Sequence, residues 1–290
     1  MLLFVLSLLA NLTFGQAELN IVYTNDLEGS VGICGCASDP GGGVTRRLNW
    51  LEDQKLDPTS TIYLNAGNTL FSELASLEHE DKAEKLGAKI MLDSMSYMDL
   101  TAFTPGRSDF KKGVDFFNTA SKKYPVVISN TDSAQYLKSL ILKKGTWDIV
   151  VLGILQSEVL KVSDPIKALK KQLKTLKRNG KHRPFVVLLL YSDQKLLNEM
   201  AKKINCIDLV LSEGLQEEAP QPILVGVGKT SVIRLLNGGD SIGLLKVKKT
   251  AVGVYEYTNS ISFLGPKYER KNKLSSDVQS YIELKRERIN

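Results

Sequence analysis

One stretch near the start of the chain constrains its architecture more than any other. Residues Asn20 to Arg47 combine an apolar, β-branched run with an acidic pair, a Cys-Gly-Cys, three successive glycines and two arginines. The apolar run alternates as a strand does, and Asp26 follows it directly. The glycines lead into a segment from about Val44 to Gln54 whose apolar residues share one helical face. A strand, a polar loop and a helix in this order predict an α/β fold, in which ligands lie beyond the carboxyl ends of the strands.

The rest of the sequence alternates strands and helices up to about residue 214, and then becomes rich in short strands. We expect strands over 60–68, 100–110, 125–130, 183–193 and 207–214, and a hairpin over 139–155 that turns near Gly145. We expect helices over 73–97, 113–123, 163–180, 194–205 and 275–290. Four short alternating segments with Gly-rich turns lie between residues 223 and 264 and predict a second sheet. The sequence therefore predicts two packed sheets with helices outside them.

Composition limits the kinds of partner that the chain is expected to have. A chain of 290 residues with 43% hydrophobic and 24% charged residues can form a substantial core. Its net charge of +6 comes from lysines that are spread along the sequence, so we expect no nucleic-acid partner. A basic run from Lys167 to Arg178 falls in a predicted helix and is interpreted as a solvated outer face.

The amino terminus predicts export. Met1 to Ala17 contains an apolar core with small residues near its end, which is typical of a signal peptide. The alternative is a buried first strand or helix. On the signal-peptide interpretation the protein is periplasmic or secreted, has no membrane span after removal of the signal, and forms a single domain over residues 18–290. In an oxidising compartment, its three cysteines leave at least one thiol unpaired or paired between chains.

The polar residues that end the predicted strands carry a family resemblance. Thr24 to Gly29 reads T-N-D-L-E-G, and similar strand ends occur at 65–68, 105–110, 190–193 and 208–214. This pattern resembles the calcineurin-like metallophosphoesterase superfamily, and more closely the N-terminal catalytic domain of exported 5′-nucleotidases, in which the first motif is T-N-D-x-H-G. The resemblance extends over about residues 19–269 and implies a four-layer α/β/β/α sandwich of two mixed sheets with flanking helices. Full 5′-nucleotidases also carry a C-terminal nucleotide-binding domain, which we expect this chain to lack.

The same resemblance implies a two-metal site, but most of its positions hold other residue types. Asp26 matches the family. Glu28 stands where the family has a histidine, and Asn68 stands where it has the metal-bridging aspartate. Arg107 takes the place of an asparagine, and Ser108 that of a further histidine. The later histidines are replaced at Ser192 (or its neighbour Tyr191), Gly214 and Gln216.

The residues that remain do not supply the missing ligands. The only two histidines, His79 and His182, lie in charged segments away from the predicted strand ends. Arg107 adds positive charge where cations would bind. We therefore expect no two-metal site, no cofactor and no catalytic residues of this type. The alternatives for Asp26 and Glu28 are weak binding of one hard cation, or solvation or pairing with Arg107.

The second half of the opening stretch holds groups that the missing metals do not explain. Cys34 and Cys36 lie in a C-G-C…G-G…R-R pattern that is similar to a subgroup of exported 5′-nucleotidase-like proteins. They could form a structural disulfide or buried pair, a redox pair, or ligands of a soft metal. A third cysteine, Cys206, is interpreted as a core residue.

The glycines that follow allow two interpretations. Gly41, Gly42 and Gly43, with Arg46 and Arg47, form either an anion site at a helix start or a tight turn followed by two solvated arginines.

We hypothesise from the sequence an exported, 5′-nucleotidase-like protein that is catalytically inactive and acts as a binding or scaffold protein for an unknown ligand or protein partner. One alternative is a phosphoester or nucleotide hydrolase with an altered site. The other is a thiol redox or metal-handling protein that uses Cys34 and Cys36.

Overall fold

Two sheets form the centre of the protein. The structure, a computed structural model, describes residues 18–33, 40–72, 82–179, 183–212, 222–225, 230–235, 239–251 and 254–287. One sheet has five strands and the other has six. The predicted signal segment lies outside the described residues, and in the part that is described no helix is both long and apolar enough to cross a membrane.

The first sheet is built around the amino-terminal strand. Its strands, numbered in chain order, are β1 (Glu18–Asn25), β2 (Thr61–Gly67), β3 (Leu100–Pro105), β10 (Ser241–Ala251) and β11 (Val254–Phe263). Their spatial order is β11-β10-β1-β2-β3. The strands β1, β2 and β3 are parallel, and β10 lies antiparallel to β1 with Tyr23 opposite Gly243. Because β1, β2 and β3 run the same way, their carboxyl ends meet at one edge.

The second sheet contains the middle of the chain. Its strands are β4 (Leu140–Lys144), β5 (Trp147–Leu155), β6 (Phe185–Tyr191), β7 (Leu209–Ser212), β8 (Ile223–Val225) and β9 (Thr230–Ile233). Their spatial order is β4-β5-β6-β7-β9-β8. The four central strands are parallel, and β4 and β8 are antiparallel edge strands.

Helices cover the outer face of each sheet. The described helices are α1 (Val44–Gln54), α2 (Lys82–Tyr97), α3 (Val114–Ser121), α4 (Pro165–Asn179), α5 (Gln194–Lys203) and α6 (Ser275–Glu287). Residues of α1, α2, α3 and α6 share a core with the first sheet, and residues of α4 and α5 share one with the second. The four-layer α/β/β/α arrangement is therefore confirmed.

Side-chain alternation along the strands divides the interior into three cores. In β1, Val22 faces the helices, whereas Ile21 and Tyr23 face the second sheet. In β5, Val151 faces the first sheet and Val150 faces α4 and α5. Successive strand residues point to opposite faces, so a fully apolar strand such as β5 is stable only where both faces are covered.

Most predicted elements are confirmed. The hairpin β4–β5 turns at Gly145, and Asp164 caps α4 by accepting a hydrogen bond from Lys167 N at 2.7 Å. The helix predicted over 73–97 is observed as α2, and residues 73–81 lie outside the described part of the chain.

The predicted strand over 125–130 is wrong. This segment makes isolated bridges, because its successive N–H groups bond to different partners: Val127 to Phe103 O, Ile128 to Leu137 O, and Ser129 to Gly153 O. It passes from the edge of one sheet to the other, so its apolar residues are buried without a continuous ladder.

The prediction that the late strands form their own sheet is also wrong. The strands β8 and β9 extend the second sheet beside β7, whereas β10 and β11 pair with β1 in the first. Alternation shows that a strand has an apolar face, but it does not identify the neighbour to which its backbone bonds.

Candidate functional site

The polar strand ends predicted from the sequence lie along one side of the two sheets. Asp26 follows β1, Asn68 follows β2, and Arg107 and Ser108 follow β3. Ser192 follows β6 in the second sheet. Parallel pairing places the carboxyl ends of β1, β2 and β3 at a common edge, and the end of β6 lies beside them, since Arg107 and Ser192 line one cavity. Ligands of α/β proteins bind at such edges.

The loop after β1 has an unusual backbone. Asp26 and Glu28 both adopt left-handed conformations, with φ of 51° and 47°. Such conformations cost free energy in residues that have a Cβ, so the surrounding structure must maintain them. Here Glu28 N donates to Asn68 O at 2.9 Å and Gly29 N donates to Thr69 O at 3.0 Å. The loop is thus fixed against the loop after β2, with Asp26 half-buried and Glu28 exposed.

The side chain of Asn68 connects two of these loops. Its Nδ2 donates to Asp26 Oδ1 at 3.1 Å, and its Oδ1 accepts from Ser108 N at 2.9 Å. Asn68 is 2% exposed. The Ser108 hydroxyl is directed away from it and donates to Phe71 O at 2.5 Å. Both ends of the Asn68 amide are therefore used in a network within the protein.

A second buried group, Asp109, lies directly behind this network. Its Oδ1 accepts from Thr69 N at 2.8 Å and Leu70 N at 2.6 Å, and its Oδ2 accepts from Gly106 N at 2.8 Å. Complete burial raises the pKa of Asp109 to about 7, and the negative charge of Asp26 also raises it, while the three N–H donors oppose the shift. Asp109 thus joins the loops after β2 and β3.

An open cavity of about 360 Å³ lies beside the network, over the ends of β3, β5 and β6. Its lining residues carry one guanidinium, two serine hydroxyls, one amide, one tyrosine phenol and two carboxylates: Arg107, Ser157, Ser192, Gln156, Tyr191, Glu158 and Asp193. Asp193 also caps α5 by accepting from Leu196 N at 2.7 Å. The cavity can therefore offer a positive group and neutral hydrogen-bonding groups to a small polar molecule.

The residues at the strand ends do not fit a pair of metal ions. A bridging ligand must present lone pairs to both cations, but the Asn68 oxygen already accepts a hydrogen bond and its nitrogen presents protons to Asp26. Ser192 is a hydroxyl that donates to Asp193 O at 3.1 Å. Over the described ranges, no group of three or more His, Cys, Asp or Glu residues is placed to hold a metal.

The triple glycine and the arginine pair have a packing role. A Cβ on Gly41 would lie 2.4 Å from the Phe263 ring, and one on Gly42 would lie 2.5 Å from Gly239 O. Gly42 N donates to Leu264 O at 3.1 Å. These contacts hold the start of α1 against the neighbouring ends of β10 and β11.

Arg46 and Arg47 are 2% and 1% exposed, so the interpretation of solvated arginines is wrong. Arg46 donates to Pro40 O and Leu264 O and forms an ion pair with Glu269. Arg47 donates to Gly239 O at 3.1 Å, while its Nε and Nη1 have no hydrogen-bond partner among the residues that the structure describes. Burial lowers the pKa of the Arg47 guanidinium.

Several residues singled out in the sequence lie outside the described residues. They are Cys34, Cys36, His79, His182, Gly214 and Gln216. Their predicted roles remain predictions. Cys206 is described as a free, partly buried thiol that packs against the core under α4 and α5.

Sequence reasoning missed Asp109 and the cavity residues Gln156 and Glu158. Asp109 stands in the strand-end motif Pro105–Phe110, and an aspartate just after a Pro-Gly loop is a signal for backbone capping that could have identified it. Gln156 and Glu158 follow an apolar strand as the other site residues do, but no motif marks them.

Comparisons with known proteins support the fold assignment. No protein-family model and no curated protein sequence matches the chain. Among solved structures, a 5′-nucleotidase precursor from Thermus thermophilus is similar with a TM-score of 0.76 and 18% identity, over 92% of this chain and 58% of that one. A calcineurin-like phosphoesterase from Bacillus subtilis has a TM-score of 0.69 and 14% identity, over 94% of this chain and 99% of that one. The Thermus thermophilus sulfate thiohydrolase SoxB has a TM-score of 0.72 and 15% identity, over 91% and 59%.

The chain therefore has the α/β fold of the calcineurin-like metallophosphoesterases. Within that class its arrangement is similar to that of 5′-nucleotidases, and it spans a little more than half the length of the Thermus thermophilus 5′-nucleotidase.

Proposed function

We propose that this protein is an exported member of the phosphoesterase fold that binds a small anionic ligand without two-metal hydrolysis. The observation that carries the proposal is the Asn68 side chain, whose amide donates to Asp26 and accepts from Ser108 N. Export rests on the signal-like sequence of residues 1–17.

The physical argument concerns charge. In two-metal phosphoesterases a bridging carboxylate supplies negative charge and lone pairs to two cations. A carboxamide at this position supplies neither the charge nor a free oxygen here. An arginine at position 107 adds a positive charge at the same edge of the sheet, which raises the cost of placing cations there. The strand-end geometry of the fold is kept, and Arg107 gives the cavity lining one positive group beside the carboxylates of Glu158 and Asp193.

The cavity chemistry limits the kind of ligand. Arg107 can pair with a phosphate or carboxylate group, and a guanidinium forms two parallel hydrogen bonds to such groups. The carboxylates of Glu158 and Asp193 oppose a highly charged ligand. A molecule with one phosphate or carboxylate group and several hydroxyl or amino groups fits this lining best.

The absence of metal-dependent hydrolysis can be tested directly. We expect purified protein incubated with Mn²⁺ or Zn²⁺ to bind less than one equivalent tightly and to show no metal-dependent hydrolysis of p-nitrophenyl phosphate or AMP. Two tightly bound ions, together with turnover that is lost in Asp26→Asn, would overturn the proposal and favour the altered hydrolase.

Ligand binding needs a separate measurement. A panel of phosphomonoesters and hydroxycarboxylates is screened by thermal shift and titration calorimetry. We expect one class to stabilise the protein, with binding at least about tenfold weaker in Arg107→Ala, since a charge-assisted pair contributes about 1.5–3 kcal/mol. Arg286→Ala removes an exposed arginine from α6 and serves as the matched control. Equal losses in both variants, or no binding by any member, would contradict a ligand site at Arg107.

A further inference from the structure

The two helices that cover the second sheet carry most of the protein's excess positive charge. Apolar residues of α4 and α5 pack into one core on the same face of that sheet, so the opposite sides of both helices face outward together. The four described lysines of α4 all lie on its exposed side, at spacings of three and four residues: Lys167, Lys170, Lys171 and Lys174. They form a single stripe along the helix.

The stripe has almost no compensating negative charge. The sequence of α4 contains no Asp or Glu. In α5, the lysines 195, 202 and 203 are also exposed, and Glu199 is the only acidic residue, paired with Lys203. The aspartates at the two helix starts, Asp164 and Asp193, accept hydrogen bonds from the first helical turns.

The helices that cover the first sheet differ from α4 and α5 in the pairing of their charges. There several cations are paired with anions: Lys89 with Asp93, Arg270 with Asp53, and Lys112 with Glu84. The net charge of +6 is therefore not evenly distributed over the folded protein. The exposed lysines of α4 and α5 lie on the outer side of these two helices, and we call this surface the lysine face.

We propose that the lysine face docks the protein on an anionic lipid membrane surface. Clusters of four to eight basic residues on one side of a helix bind anionic headgroups, and each lysine near such a surface strengthens binding by roughly fivefold. The apolar side of both helices is already buried against the sheet, so the contact is with headgroups and inserts no helix. Lysines act here as hydrated point charges that require no fixed ligand geometry.

Features of the lysine face favour a membrane over a nucleic acid. Neither α4 nor α5 contains an aromatic residue on which a base could stack. Two neighbouring helices on a sheet form a broad surface, which matches the extended charge of a lipid layer. The proposal is independent of the ligand cavity, which lies at the strand ends.

The test compares the exported form of the protein, without the signal-like residues 1–17, on two kinds of vesicle. We expect binding to phosphatidylcholine vesicles that contain phosphatidylglycerol and much weaker binding to vesicles of pure phosphatidylcholine. Binding to the anionic vesicles should weaken as the salt concentration rises to about 0.15 M. The variant K167Q/K170Q/K171Q/K174Q should bind the anionic vesicles at least about tenfold more weakly. The control K82Q/K122Q/K267Q/K271Q removes the same charge from exposed positions outside the lysine face and should lose less than about twofold.

Three outcomes would overturn the proposal. These are equal binding to both vesicle types, equal losses in the two quadruple variants, or tighter binding to duplex DNA that the α4 substitutions abolish together with vesicle binding. Circular dichroism of each variant establishes that a loss does not come from unfolding.

Discussion

The amide nitrogen of Asn68 lies 3.1 Å from Asp26 Oδ1 and donates a hydrogen bond to it. In the family resemblance drawn from the sequence, Asp26 matches the first motif and Asn68 takes the place of a metal-bridging aspartate. A direct protein hydrogen bond thus joins two positions that the family resemblance would connect through metal.

Asn68→Asp should destabilise the protein at neutral pH. The substitution removes the donor to Asp26 and places a second carboxylate beside it, and we expect the free energy of unfolding to fall by about 1–3 kcal/mol. The loss should be smaller near about pH 4, where one of the two carboxyls can hold a proton. Urea denaturation at both pH values measures this. Asn198→Asp, at an exposed position of α5, is the control, and an equal effect there would contradict the role of the contact.

Asp109 should make stability depend on pH. Its pKa is raised from the ordinary value of 3.8 to about 7 in the folded protein, chiefly by burial. The folded state therefore binds more protons than the unfolded state between these values, and the contribution of Asp109 to stability declines as pH rises from about 4 to about 7. Asp109→Asn cannot ionise. We expect its free energy of unfolding to approach that of the wild type, or exceed it, as pH rises over this interval. Parallel curves of unfolding free energy against pH for the two proteins would contradict the raised pKa of Asp109.

Gly106→Ala should disturb the network without changing any charge. A Cβ at this position would lie 2.3 Å from Asn68 Oδ1 and 2.8 Å from Tyr191 Cε2, so the loop after β3 must move. We expect a cost of about 1–3 kcal/mol and weaker binding of any ligand at Arg107. Gly32→Ala is the control, because a Cβ there meets no atom within 4 Å. Similar thermal midpoints for the two variants would disprove the predicted clash.

Replacing Arg46 with methionine should destabilise the protein more than replacing Arg47 does. Arg46→Met leaves the carbonyls of Pro40 and Leu264 without this donor, and we expect a loss of about 1–3 kcal/mol. Arg47→Met removes a buried charge whose Nε and Nη1 lack partners in the described part of the chain, so its cost should be below about 1 kcal/mol, or the variant should be more stable. Chemical denaturation of both variants decides this, and a larger loss for Arg47→Met would show that its N–H groups have partners in solution.

The sequence was a good guide to local elements and a poorer guide to connections. The strand before Asp26, the helix at Val44–Gln54 and the hairpin at Gly145 are confirmed, because each depends on side-chain periodicity and turn residues within a short window. The strand predicted at 125–130 is wrong, because its backbone groups bond to residues as distant as Gly153. Local patterns carry no information about such partners.

For the candidate site, too, the sequence predicted some features and not others. The family resemblance placed Asp26, Asn68, Arg107 and Ser108 at one edge, and the structure brings the loops that hold them together. It did not predict that the Asn68 amide would bond at both ends. Nor did it identify Asp109, whose role depends on three N–H groups from two different loops.

The sequence by itself determined the fold class and the residue types that follow the strands, because both depend on residue identity and short-range order. Only the tertiary structure decided that Arg46 and Arg47 are buried and that the lysines of α4 and α5 share one outer face. Burial and surface charge depend on which segments pack together, and that packing is set by contacts between residues far apart in the chain. The opening stretch identifies the fold, but what the site can bind depends on the neighbours that the fold brings to Asp26.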